Sequence, residues 1–182
     1  MGSRYDDELW GLVPDDPGPP PVHLTEFVRS FGRVDRALDL GCGDGRLSVE
    51  LDSETLTAAD VSAVALVRAR RRLPEARLVE LEPDAPLPLA DGSFDLVLCA
   101  ETIEHVRDVQ LLLSEARRVL QPAGTLALTT PAHRRFLPAP DPLSPHLRFF
   151  TPRSLRTLLG ELGFEVVSLR RRSGTLLAMG RR

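Results

Sequence analysis

The residues best suited to chemistry stand at Glu101-Thr102-Ile103-Glu104-His105, two carboxylates and an imidazole in one short run. On a helical turn, offsets of 0, 3 and 4 would set all three side chains on one face. Such a trio suits a divalent cation, the oxygens favouring Mg2+ or Mn2+ and the imidazole favouring softer ions. A fourth ligand is expected from the proline-studded stretch Pro131 to Phe150, with His146 preferred over His133. Without a cation, His105 or His146 would act as a general base beside Glu104. The purely structural alternative is an acid favoured by the dipole at a helix start.

A second constellation can hold a ligand. In the stretch RALDLGCGDGRLSVEL, Arg36 to Leu51, an apolar run ends at Gly41-Cys42-Gly43-Asp44-Gly45. Glycines there allow positive φ and let a ligand lie against the main chain. Asp39 stands two residues before the first glycine, and Asp60 closes the next apolar run, LTAAD, 19 residues past Gly41. In nucleotide-binding βαβ units an acid at that place accepts hydrogen bonds from ribose hydroxyls. The competing role for Asp60 is to cap the helix that opens near Ser62.

These residues need elements to position them. The pattern predicts a strand ending at Leu40, a glycine turn, and a helix starting with the amphipathic run Arg46 to Leu51. It predicts further strands at Leu56–Asp60, Arg77–Leu81, Ser93–Cys99 and Thr125–Thr130, and a terminal pair at Phe164–Leu169 and Thr175–Met179. Helices are expected at Val22–Phe31, Ser62–Leu73, Val109–Leu120 and Arg153–Leu162, the last with Thr151 as N-cap and Pro152 in its first turn. Alternation of strand and helix through the first five strands implies a parallel doubly wound sheet, and the closing hairpin adds an antiparallel strand. In such sheets ligands bind at the carboxyl ends of the strands, which gathers Asp39, Gly41, Gly43, Asp60 and Ala100 around one cleft. Residues 1–21, acidic and rich in proline, are expected to form neither a regular helix nor a central strand. Tyr5, Leu9 and Trp10 give that segment the means to dock as a lid or arm, the other reading being a loose tail.

The sequence D-L-G-C-G-D-G resembles motif I of the class I S-adenosylmethionine (SAM) dependent methyltransferases. Its glycine spacing differs from the Gly-x-Gly-x-x-Gly of dinucleotide binders. Leu87 to Asp95 resembles the family segment before the fourth strand, and Gln121-Pro122-Ala123-Gly124 keeps the chemistry of the usual family turn. The resemblance runs from Ala37 to the C-terminus. It implies an α/β, Rossmann-like, mostly parallel sheet of seven strands with helices on both faces, taking residues 32–182, with residues 1–31 as an N-terminal arm and short helix. It implies SAM as cofactor, Asp60 on its ribose, and an acid near the adenine amino group. For that acid Glu82 is chosen, with Glu80 and Asp84 as alternatives. The Glu-x-x-Glu-His pattern is similar to one in two metal-assisted groups, the ubiquinone-pathway O-methyltransferases and the small-RNA 3′-terminal 2′-O-methyltransferases. By that likeness a metal held by Glu101, Glu104, His105 and His146 would activate an acceptor hydroxyl. The expected acceptor is a small molecule, the alternative an RNA 3′ end with Arg134, Arg135 and Arg148 on its phosphates. A third reading is a SAM-fold binding protein without catalysis.

Composition sets the outer bounds. The 182 residues suit one domain with a single sizeable core. A net charge of −3 argues against general nucleic-acid binding. All 23 basic residues are arginine, read as the codon bias of a GC-rich, bacterial genome. No apolar run approaches membrane-spanning length, and the acidic start is not a signal peptide. With only Cys42 and Cys99, no disulfide framework is possible, and a reducing cytoplasm is expected. Both thiols are read as small packing residues.

Overall fold

A computed structural model describes residues 3–132 and 146–182. Its centre is a seven-stranded sheet of order β3-β2-β1-β4-β5-β7-β6. The strands are β1 (Val34–Leu40), β2 (Ser53–Asp60), β3 (Arg77–Glu80), β4 (Phe94–Ala100), β5 (Leu120–Pro131), β6 (Glu165–Arg172) and β7 (Thr175–Arg181). All pairs from β3 to β5 are parallel, and β7 runs antiparallel to both β5 and β6. Strand order reverses between β1 and β4, so their carboxyl ends, Leu40 and Ala100, flank the crevice where such sheets take ligands.

The helices are α1 (Ser3–Leu12), α2 (Val22–Arg29), α3 (Ala63–Arg72), α4 (Val109–Val119) and α5 (Pro152–Glu161). Period-two alternation sends β-strand side chains to opposite faces. Leu38, Leu40, Val97, Cys99, Leu126 and Leu128 pack with α4 and α5 residues such as Leu113 and Leu155. Leu96, Leu98 and Ala127 face the other way, against Val28 of α2. A smaller cluster joins Ala58 of β2 to Leu66 and Ala69 of α3. The expected caps form: Ser62 accepts from Ala65 N on α3, and Thr151 and Ser154 build a capping box on α5 behind Pro152.

Four expectations need correcting. After the glycine turn there is only a single 3-10 turn, Ser48–Glu50, because β2 begins at Ser53 and leaves no length for an α-helix. Between β3 and β4 the chain makes no helix; it carries Pro83, Pro86 and Pro88, with Asp84 at φ 54. β5 starts at Leu120 rather than Thr125, taking in the Gln121–Gly124 turn through a bulge opposite Phe94–Leu96. The fourth concerns residues 1–21: Ser3–Leu12 is an α-helix. The prolines that argue against one begin only at Pro14.

The helix-free connection to β4 is clamped from α4. Arg118 donates to Leu87 O (3.0 Å) and Leu89 O (2.9 Å) and binds Glu115 and Asp91. Glu115 in turn accepts the Leu87 amide at 2.7 Å. Arg118→Ala strands the carbonyls of Leu87 and Leu89 and should cost roughly 2 kcal/mol. In a thermal melt that is a fall of about 4–8 °C.

Candidate functional site

The glycine turn leaves β1 with three residues in the left-handed region, Gly41 at φ 82, Gly43 at φ 55 and Gly45 at φ 80. The amides of Gly41 and Cys42 both donate to Ala59 O, at 2.8 and 3.0 Å, which ties the turn to β2. Asp60 completes the link: its Oδ2 accepts Gly43 N at 2.8 Å and its Oδ1 accepts Ser62 N at 2.9 Å. A carboxylate offers about four lone-pair sites, so two donors leave room for ribose hydroxyls. Asp60 thus meets the capping role in part, since one oxygen supports the start of α3, and keeps capacity for a ligand. Asp39 is buried under the turn and accepts the Ser48 hydroxyl at 2.5 Å. Burial, with Asp60 nearby, pushes its carboxyl up to about 7.

Past β4 the chain turns sharply. Thr102 Oγ1 donates to Ala100 O at 2.9 Å, and its side chain lies against Gly41, where an added Cβ would meet Thr102 Cγ2 at 2.4 Å. Glu101 has φ 51, so residues 101–105 form turns and not a helical face. The helical-face reading of Glu101 is therefore corrected. Its amide donates to Thr129 O at 3.0 Å, and its Oε1 accepts from Thr129 Oγ1 at 2.8 Å, anchoring it to β5. Glu104, His105 and His146 instead bring one ligand atom each within 4.8 Å of one another. This trio is the one group of its kind among the described residues. The Leu147 amide donates to Glu104 O at 2.7 Å, which brings His146 into place.

Glu104 is almost fully buried. Its Oε2 accepts from Thr130 Oγ1 at 2.9 Å, while Oε1 has no hydrogen-bond partner among the described residues and lies 3.8 Å from His105 Nε2. Burial and the nearby Glu101 push its carboxyl up to about 8. An uncompensated buried carboxylate oxygen is expensive, and a proton or a cation beside it offsets that cost. Burial pushes the His146 imidazole down, toward the neutral form that ligates metals. The His105 and His146 rings stand edge to face at 4.8 Å, and Phe149 packs on His146 at 5.5 Å.

The remaining candidates divide. Glu82 is exposed just past β3, Glu80 ends that strand, and Asp84 is engaged by the Asp108 amide at 3.3 Å. Ala100 is half-buried at the end of β4. Arg148 donates to Arg107 O at 2.7 Å. His133, Arg134 and Arg135 lie outside the described residues. Cys42 and Cys99 are buried, and burial drives both thiols far up, so native protein should resist a thiol-specific dye until denaturant is added. Trp10, one of the residues expected to dock residues 1–21, lies with its indole on Gly43, a place the sequence does not specify; Asp7, whose carboxylate accepts from Ser62 Oγ at 2.6 Å, was missed altogether.

Residues 38–128 match the family described as Methyltransferase domain, a stretch that takes in the end of β1 with its glycine turn, Asp60 and the Glu104–His105 turn. The chain belongs to the methyltransferase domain family. This methyltransferase domain is 38% identical over 136 residues to a probable S-adenosylmethionine-dependent methyltransferase of Mycolicibacterium smegmatis, covering 71% of this chain and 51% of that one. It is 35% identical over 134 residues to the 27-O-demethylrifamycin SV methyltransferase of Amycolatopsis mediterranei, covering 69% and 43%. The chain thus spans about half the length of these curated relatives. Among solved structures, the (4+2)-cyclase SpnF superposes with a TM-score of 0.82 at 17% identity, over 100% of this chain and 97% of that one. At that identity the likeness speaks for the fold alone. The family implies SAM as cofactor, and the left-handed glycine turn with Asp60 beneath it fits one. Among the described residues no helix is long and apolar enough to cross a membrane.

Proposed function

We propose that the chain transfers a methyl group from SAM to a hydroxyl of a small molecule, with a divalent cation held by Glu104, His105 and His146. The observation that carries the metal is Glu104 Oε1, buried beside two imidazoles without a hydrogen-bond partner among the described residues. SAM, when bound, supplies an electrophilic methyl on a sulfonium. The chain has to align the acceptor and manage its proton. Asp60 would accept from the ribose hydroxyls, Gly41 and Gly43 would let the ligand lie on the backbone, and Ala100 would line the cleft. Glu82 is our choice for the adenine amino group. The mixed oxygen and nitrogen donors favour Mn2+ over Mg2+. A cation there would lower the pKa of an acceptor hydroxyl. Glu101 is left out of the ligand set, its carboxylate being tied to Thr129. If the protein works without metal, neutral His146 is the better placed proton acceptor, since its ring is held between His105 and Phe149.

The reading is tested with methyl-labelled SAM and a panel of catechols and phenols, in Mn2+, in Mg2+ and in EDTA. Label should enter a hydroxyl and fall at least tenfold in EDTA. Transfer only to RNA 3′ ends would replace the acceptor class. Transfer undiminished by EDTA would remove the cation, and no transfer to any acceptor would favour a binding protein.

A further inference from the structure

The sole tryptophan of the chain, Trp10, sits on the turn that the proposed cofactor needs. A Cβ added to Gly43 would lie 2.6 Å from Trp10 Cζ2 and 2.8 Å from Cη2, so the indole is in direct contact with the Gly43 backbone. No ligand atom fits between them. Two further anchors hold α1 in this position. Asp7 Oδ1 accepts from Ser62 Oγ at 2.6 Å and from Val64 N at 3.2 Å, at the start of α3. Arg68, farther along α3, donates to Val13 O at 2.9 Å and pairs with Asp15 at 3.2 Å.

One feature limits the docking. A helix of ten residues has little stability by itself and stays ordered only while it is packed on something. The contacts of α1 are therefore enough to hold it and weak enough to exchange.

We propose that α1 is a self-docking arm that competes with the cofactor for the glycine turn, Trp10 covering the face of Gly43 on which the cofactor must lie. This rests on the reading above that SAM binds at Gly41–Gly45 and Asp60. The cofactor then binds only the fraction of molecules whose arm is displaced, and its apparent affinity is reduced by that fraction. Loosening the arm at points remote from the turn tightens cofactor binding. A lid that simply closes over bound cofactor predicts the opposite sign.

The test is calorimetric titration of S-adenosylhomocysteine into the full chain, the Arg68→Ala variant and the Asp7→Asn variant, with Trp10 fluorescence followed in parallel. Each variant should bind roughly threefold to tenfold more tightly than wild type. In the wild type, the fluorescence should shift toward that of a water-exposed indole with the same midpoint as the heat. Equal or weaker affinity in both variants, or fluorescence unchanged at saturation, overturns the competition while leaving the cofactor site standing. Failure of all three proteins to bind removes the cofactor site itself, and the arm proposal with it.

Discussion

Gly41→Ala should be the most damaging single-methyl change in the chain. The added carbon would sit 2.4 Å from Thr102 Cγ2 and 2.5 Å from Thr102 Oγ1, and φ at this position is 82. Left-handed backbone costs a non-glycine residue about 1–2 kcal/mol. Forcing a methyl into a packed contact adds about 1–3 kcal/mol. The sum, roughly 3 kcal/mol, lowers the melting temperature by about 6–12 °C. Thr102 cannot swing away cheaply, because its hydroxyl is bonded to Ala100 O at 2.9 Å. A double-mutant cycle separates the two terms. Thr102→Ala removes both of the nearest atoms, so the pair should recover part of the packing cost and none of the backbone cost. Cofactor affinity should stay low in both, since the turn and the end of β4 shape one cleft. A Gly41→Ala protein that melts like wild type would mean that the turn is free to relax.

Glu104→Gln should trade function for stability. The folded chain holds the Glu104 carboxyl up at about 8 against an ordinary value of 4.5, so between these two values the native state binds more protons than the unfolded one. Stability therefore falls as pH rises from about 4.5 to about 8. Asp39, held up at about 7 from 3.8, acts in the same direction. The substituted amide carries no charge, so in EDTA the variant should gain on wild type progressively over that window. At pH 8 the gain should be on the order of 4 kcal/mol at most. Calorimetric Mn2+ binding and metal-stimulated methyl transfer should both be lost. A variant that is no more stable at pH 8 would show that Glu104 ionises at ordinary cost. Undiminished Mn2+ binding would place the cation elsewhere.

Much of the fold is legible in the sequence because several of its strands contain a short apolar run bounded by a glycine, proline or acid. RALDL before the glycine turn and TLALTT after Gly124 are clear examples. The missing helix after the turn is not. Arg46 to Leu51 has helical periodicity, but the distance to β2 decides what it becomes, and that distance is a property of the sheet. The expected helix at Glu101–His105 fails for a related reason. A spacing of 0, 3 and 4 implies one face only where φ is helical, and Glu101 sits at 51. His146 lies beside Glu104 and His105, and the ligand role expected for it belongs to the proposal. Trp10 on Gly43 leaves no local signal, because contacts between residues so far apart in sequence are set by packing. The proline run from Pro14 onward also masks a proline-free Ser3–Leu12.

The central claim is that the Gly41–Gly45 turn and Asp60 hold SAM. A calorimetric titration of SAM into the wild-type chain and the Asp60→Asn variant tests it most directly. The account predicts saturable binding at one site per chain, with a dissociation constant in the range of roughly 1 µM to 1 mM, weakened at least tenfold in Asp60→Asn. No saturable heat at millimolar SAM, or equal affinity in the two proteins, would contradict it.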